Sequence, residues 1–169
     1  MHDNIIQSKG LAEACTIQEQ VFSIIDRFEA DGLNCGLMPG TFEALEWLDS
    51  HDITMGICTS NSTKIAIRVL ENLKLQNFFS SIIGRTIGLK LKPSPDQVLL
   101  CFNRLGITPG RGVMVGDSHN DVLAGKAAGA RTIAVPVYFT RITEMNAAKP
   151  DLIIKNLSEL PLAITKLQT

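Results

Sequence analysis

The stretch Val113-Met114-Val115-Gly116-Asp117-Ser118-His119-Asn120-Asp121-Val122, continuing into Ala124-Gly125-Lys126-Ala127-Ala128-Gly129, constrains the fold more than any other segment. A short apolar run closes on a glycine, an aspartate follows at once, and a second aspartate comes one helical turn later. A small-residue helical pattern then begins. This reads as a strand, a loop and a helix. In an open α/β sheet ligands gather at the carboxyl ends of the strands, which puts Asp117 at the mouth of a site. A carboxylate there needs a partner, and a divalent cation held by oxygen ligands is a common one. The alternative is that Asp117 and Asp121 cap the helix, since Asp, Ser and Asn all suit that position.

The rest of the chain repeats the alternation. Apolar residues at Ile17, Val21, Ile24, Ile25 and Phe28 recur at helical spacing, predicting an amphipathic helix to about Ala30 with Thr16 as its N-cap. Residues 1–16 are weakly patterned, and residues 31–38 read as a linker with two glycines. Pro39-Gly40 opens a helix through Ser50, with Phe42, Leu45 and Leu48 on one side and Trp47 at its edge. Ile53 to Cys58 and Ser80 to Ile83 are short strands, and a helix from Thr63 to about Leu73 lies between them. Ser94, Pro95 and Gln97 predict a capping box at the start of a helix that closes near Gly106. Arg131 to Val135 and Leu152 to Ile154 are further strands, and an amphipathic helix runs on from Leu157. Strands and helices at this spacing imply an α/β fold, with a parallel sheet covered on both faces.

Composition narrows the function. With 169 residues and a formal net charge of -1, the chain fits one domain and shows no basic footprint for nucleic acid or an anionic membrane. Cys15, Cys35, Cys58 and Cys101 are widely spaced with no Cys-x-x-Cys pair, which suits a reducing cytoplasm. No run approaches membrane-spanning length and the first residues do not resemble a signal peptide, so the expectation is a soluble cytoplasmic protein. A dinucleotide fingerprint is absent, and Gly125-Lys126 lacks the spacing of a P-loop. His119 reads as a solvated loop residue, and His2 and His51 as surface positions. Tyr138, Phe139 and Arg141 read as a hydrophobic cover in the loop after Val135.

Two further features fall at loops after the strands. Thr59-Ser60-Asn61-Ser62 can cap the following helix, and it also gathers hydroxyls, an amide and backbone N–H groups where an anion would sit. Lys92, held before Pro93, can direct an ammonium at such an anion or stay solvated. In a doubly wound sheet these loops converge on the edge that carries Asp117 and Asp121. A hydroxyl and a cation beside a metal-binding carboxylate make a phosphate clamp, because phosphoryl transfer is catalysed largely by positioning and charge neutralisation.

The ordered set, a hydrophobic strand to Thr59, then Lys92-Pro93-x-Pro95, then Gly116-Asp117-Ser118-x-x-Asp121 with Ala127-Ala128-Gly129, resembles the haloacid dehalogenase-like (HAD) superfamily in its phosphoglycolate phosphatase and β-phosphoglucomutase-like branch. Pro39-Gly40 before a helix resembles the return from helical cap to core, and the match covers roughly residues 38–165. The resemblance implies a Rossmann-like three-layer core over 38–169, with a remnant of a helical cap over 1–37. It implies a Mg²⁺-dependent phosphatase of small phosphorylated metabolites. Thr59 and Lys92 would be catalytic, binding and neutralising the phosphoryl group; Ser60 and Asn61 would line the substrate side, and Asp117 and Asp121 would hold Mg²⁺.

The sequence departs from that pattern in one respect. The superfamily's first strand ends in Asp-x-Asp-Gly-Thr, whose carboxylates accept the phosphoryl group and move the proton, and no such motif occurs in this chain. By the resemblance, that strand lies between those ending at Thr59 and Gly116. The expectation is therefore a truncated, catalytically impaired phosphatase in which the two neighbours pair directly or another segment, such as Ile5-Ile6, fills the gap. The alternatives are a non-catalytic phosphate- or phospholigand-binding module, and one half of a split enzyme whose second polypeptide supplies the strand.

Overall fold

The computed structural model describes residues 11–31, 36–136 and 142–168. Among these residues five parallel strands alternate with helices, but they form two sheets rather than one. β1 (Met55–Ser62) pairs with β2 (Phe79–Arg85). β3 (Val113–Gly116) pairs with β4 (Arg131–Ala134), which pairs with β5 (Leu152–Ile153). Among the described residues β1 and β3 share no ladder, so the two do not close up on each other. Ile5-Ile6 and the loop carrying Tyr138, Phe139 and Arg141 lie outside the described residues.

Helices cover both faces. α1 (Leu11–Asp31) precedes the core, α2 (Thr41–Ser50) and α3 (Thr63–Asn72) flank β1 in sequence, and α4 (Asp96–Leu105) follows β2. α5 (His119–Ala127) joins β3 to β4, α6 (Ile142–Ala147) precedes β5, and α7 (Leu160–Gln168) follows it. Ala44, Leu45 and Leu48 of α2 pack with Ile133, Leu160, Ala163 and Ile164 in one core. Val98 and Phe102 of α4 pack with Ala124, Ala128 and Ala130 in a second. The half-sheets are thus tied together by helices on both sides. No helix among the described residues is long and apolar enough to cross a membrane.

Between the half-sheets lies a cavity of about 800 Å³, lined by Met55, Ile57, Val98, Phe102, Val113 and Val115 among others. Its walls are apolar because a parallel strand buried on both faces carries apolar side chains in both directions.

Several local expectations differ from the structure. α1 begins at Leu11, so Thr16 lies within the helix and does not cap it. Phe42 stays exposed and meets Phe78 edge-on, with ring centroids 6.1 Å apart, while Ala44 takes the buried position. β1 extends through Ser62 rather than stopping at Cys58, and Ser62 caps α3 by accepting the Ile65 N–H at 3.3 Å. The capping box at α4 does not form. Ser94 donates to Asp96 Oδ1 at 2.7 Å, and Gln97 turns inward to reach the carbonyl of Thr59. The Lys92–Pro93 peptide is cis.

Candidate functional site

The pairing of β1 with β2 breaks at the carboxyl end. Cys58 lies opposite Ile83 and Ser62 opposite Arg85, so Thr59, Ser60 and Asn61 stand against Gly84 alone. A bulge of this kind takes backbone N–H groups out of the ladder and re-aims side chains. Within it the Asn61 N–H donates to Thr59 Oγ1 at 3.2 Å. Two long side chains hold the main chain from below. Gln97 Nε2 donates to the Thr59 carbonyl at 2.9 Å, and Arg85 Nη1 donates to the Ser60 carbonyl at 2.7 Å. Thr59 and Asn61 are half-buried, whereas Ser60 is exposed.

Lys92 crosses the opening between the half-sheets. Its ammonium donates to the Cys58 carbonyl at 3.0 Å and to Asp121 Oδ1 at 2.5 Å. The Lys92 and Asp121 side chains are only 12 % and 5 % exposed. A lysine ammonium has three N–H donors, so a third remains for an anion beside Thr59. Asp121 is held by the start of its own helix. Its Oδ2 accepts from the Ser118 N–H at 2.9 Å and the Ser118 hydroxyl at 2.6 Å, and its own N–H donates to Ser118 Oγ at 3.3 Å. This is the reciprocal capping box of Ser118 and Asp121. Gly116 makes the close approach possible, because a Cβ there would collide with Asp121.

The electrostatics follow from these contacts. Burial alone would raise the Asp121 pKa, but the Lys92 charge and the bonds from Lys92 and Ser118 outweigh it and hold the carboxyl below the usual range. Asp117, at the tip of the loop after β3, is exposed. His119 is not merely solvated: it opens α5, with Nδ1 3.4 Å from Glu144 Oε2.

The structure thus brings Lys92 and Asp121 into contact and joins both to the strand end that carries Thr59. Asp117 and Ser60 lie at the exposed rim. Sequence patterning missed Gln97, Arg85 and Ser118 as positioning groups. Arg85 also pairs with Asp26 at 2.7 Å and lies over the Phe22 ring at 5.0 Å, docking α1 onto the site's edge.

A Mg²⁺ ion asks for about six oxygens in near-octahedral array. Both oxygens of Asp121 are already engaged, and no group of three or more His, Cys, Asp or Glu able to hold a metal occurs among the described residues. The donor set found here does not make a complete Mg²⁺ site.

The chain is similar to known proteins in both sequence and fold. Phosphoglycolate phosphatase 1 of Pseudomonas aeruginosa is 34% identical over 122 residues, covering 72% of this chain and 45% of that protein. The chain spans about half the length of the curated relatives it matches. Among solved structures, a predicted phosphoglycolate phosphatase from Haemophilus somnus superposes with a TM-score of 0.73 at 25% identity, covering 80% of this chain and 61% of the other. A mutant of CbbY from Rhodobacter sphaeroides in complex with xylulose-(1,5)-bisphosphate gives 0.71 at 25% identity, covering 87% and 65%. The family model of the haloacid dehalogenase-like hydrolases matches residues 4–135, and the chain belongs to that family.

Proposed function

We propose that this chain supplies the phosphoryl-clamping part of a phosphatase acting on small phosphomonoesters of the phosphoglycolate type, in the cytoplasm. The observation that carries the reading is the Lys92 ammonium, buried between the Cys58 carbonyl and Asp121 one residue from Thr59. Thr59, with Ser60 and Asn61 in the bulge, would hold the phosphoryl oxygens, and Lys92 would neutralise them. Asp117, backed by Asp121, would offer oxygens to Mg²⁺, with the remaining ligands coming from outside the described residues. The acceptor carboxylate would arrive on a strand seated between β1 and β3, a second polypeptide being one source, and the chain by itself would be catalytically impaired.

Two assays test this on the full chain. With p-nitrophenyl phosphate and Mg²⁺ the expected result is no turnover above background; turnover at ordinary enzyme rates, lost in Asp117→Asn, would show that the acceptor is present after all. Calorimetric titration with inorganic phosphate should give heat that Thr59→Ala and Lys92→Met remove, and absence of heat at millimolar phosphate would sink the clamp itself. The full engagement of Asp121 favours one second reading, a phospholigand-binding module that performs no chemistry. In that case phosphate binding would be indifferent to Mg²⁺.

A further inference from the structure

Cys58 and Cys101 sit on different elements, yet both line the cavity between the half-sheets. Cys58 faces α4 from β1, and its thiol donates to the carbonyl of Gln97 at 3.4 Å. That carbonyl is the acceptor an α-helix assigns to the N–H of Cys101, one turn on. Cys101 comes from the other side. Its Sγ lies so close to β1 that a Cβ on Gly56 would collide with it. Gly56 and Cys58 are two apart and therefore face the same side of the strand. The two sulfurs share one small space, closed off by a glycine on one side and a helix carbonyl on the other. Each alters the other's ionisation: the closeness of the two sulfurs holds the Cys101 pKa down and pushes that of Cys58 up. Both are free thiols.

We propose that Cys58 and Cys101 are a dithiol oxidation site that reacts with a hydroperoxide to form an intramolecular disulfide between β1 and α4. The roles follow from the asymmetry of the pair. Cys101 is the more readily ionised sulfur and attacks the peroxide, breaking the O–O bond, forming a sulfenic acid and releasing hydroxide that leaves as water. Cys58 then attacks the sulfenic sulfur, the S–O bond breaks, and the departing hydroxide takes the Cys58 proton. Two thiols and one hydrogen peroxide give one disulfide and two waters, with two electrons passing from sulfur to peroxide oxygen. A small hydroperoxide has a route in, because the cavity's lining reaches the exposed Arg111 and Arg131. The bond would close one residue before Thr59.

The test treats the full chain with hydrogen peroxide at neutral pH, caps remaining thiols, and maps cross-links by mass spectrometry without reduction. A Cys15→Ser/Cys35→Ser variant run in parallel removes competing partners. The expected result in both is a Cys58–Cys101 cross-link, formed about tenfold or more faster in the native chain than in the urea-unfolded one. In Cys58→Ser, dimedone should trap a sulfenic acid at Cys101; in Cys101→Ser, Cys58 should stay reduced. A cross-link that forms no faster in the native state, a Cys101 driven to sulfinic acid with Cys58 present, or no reaction at either sulfur would overturn the proposal.

Discussion

Lys92 Nζ and Asp121 Oδ1 meet at 2.5 Å across the opening that separates the two half-sheets. One comes from the loop after β2 and the other from the first turn of α5, and neither side chain is more than an eighth exposed. Because the same ammonium also binds the Cys58 carbonyl, this pair joins β1 to the start of α5, and among the described residues no backbone ladder links the two half-sheets.

Removing one member should therefore cost more than an ordinary surface change. Lys92→Met leaves Asp121 as a buried uncompensated carboxylate, and about 3–5 kcal/mol of stability should be lost in urea unfolding. Lys92→Met/Asp121→Asn should recover part of that loss, since the stranded charge is gone. A loss in the double variant equal to the sum of the Lys92→Met and Asp121→Asn losses would show that the pair is not coupled.

Acid should weaken the fold through Asp121. Its pKa is held below its unfolded value, so its contribution is fully present above the unfolded carboxylate value of about 3.9 and disappears as pH falls through the lower folded value. The midpoint of urea unfolding, followed downward from pH 5, should fall for the wild type, and less steeply for Asp121→Asn. Parallel slopes would assign the acid sensitivity to other carboxylates.

Gly116→Ala should disturb the site without removing a charged group. The added methyl has nowhere to go but into Asp121, and an overpacked position of this kind costs about 1–3 kcal/mol. Asp121→Gly in the same chain relieves the collision, so the two losses should be markedly non-additive. Additive losses in a double-mutant cycle would place the two residues out of contact.

Gln97→Leu should loosen the bulge. The side chain is fully buried and its amide serves the Thr59 carbonyl, so leaving that carbonyl unpaired costs about 1–3 kcal/mol. The expected signature beyond stability is faster amide hydrogen exchange at Thr59, Ser60 and Asn61 than in the wild type. Unchanged exchange there would confine Gln97 to core packing.

Much of this architecture could be read from residue order. The apolar run ending at Gly116 placed the end of β3 correctly, and the Gly106 stop agrees with its left-handed conformation at the end of α4. The meeting of Lys92 with the loop after β3 was legible because parallel strands send their carboxyl ends to one edge. What remained hidden depends on partners distant in sequence. Gln97 looked like a capping residue because Ser94 and Pro95 precede it, and nothing local announces a carbonyl 38 residues away that outcompetes the cap. Arg85 is similarly opaque, since Asp26 and Phe22 reach it only once α1 is docked. The start of α1 was missed because residues 11–16 have little apolar periodicity.

Among the described residues no strand joins β1 to β3, which makes stability negotiable. A strand that seated itself there would bind the native chain and not the unfolded one, so by mass action its concentration would set how much heat the chain withstands. A rise in melting temperature on titrating candidate peptides would reveal a natural occupant even with no turnover to follow.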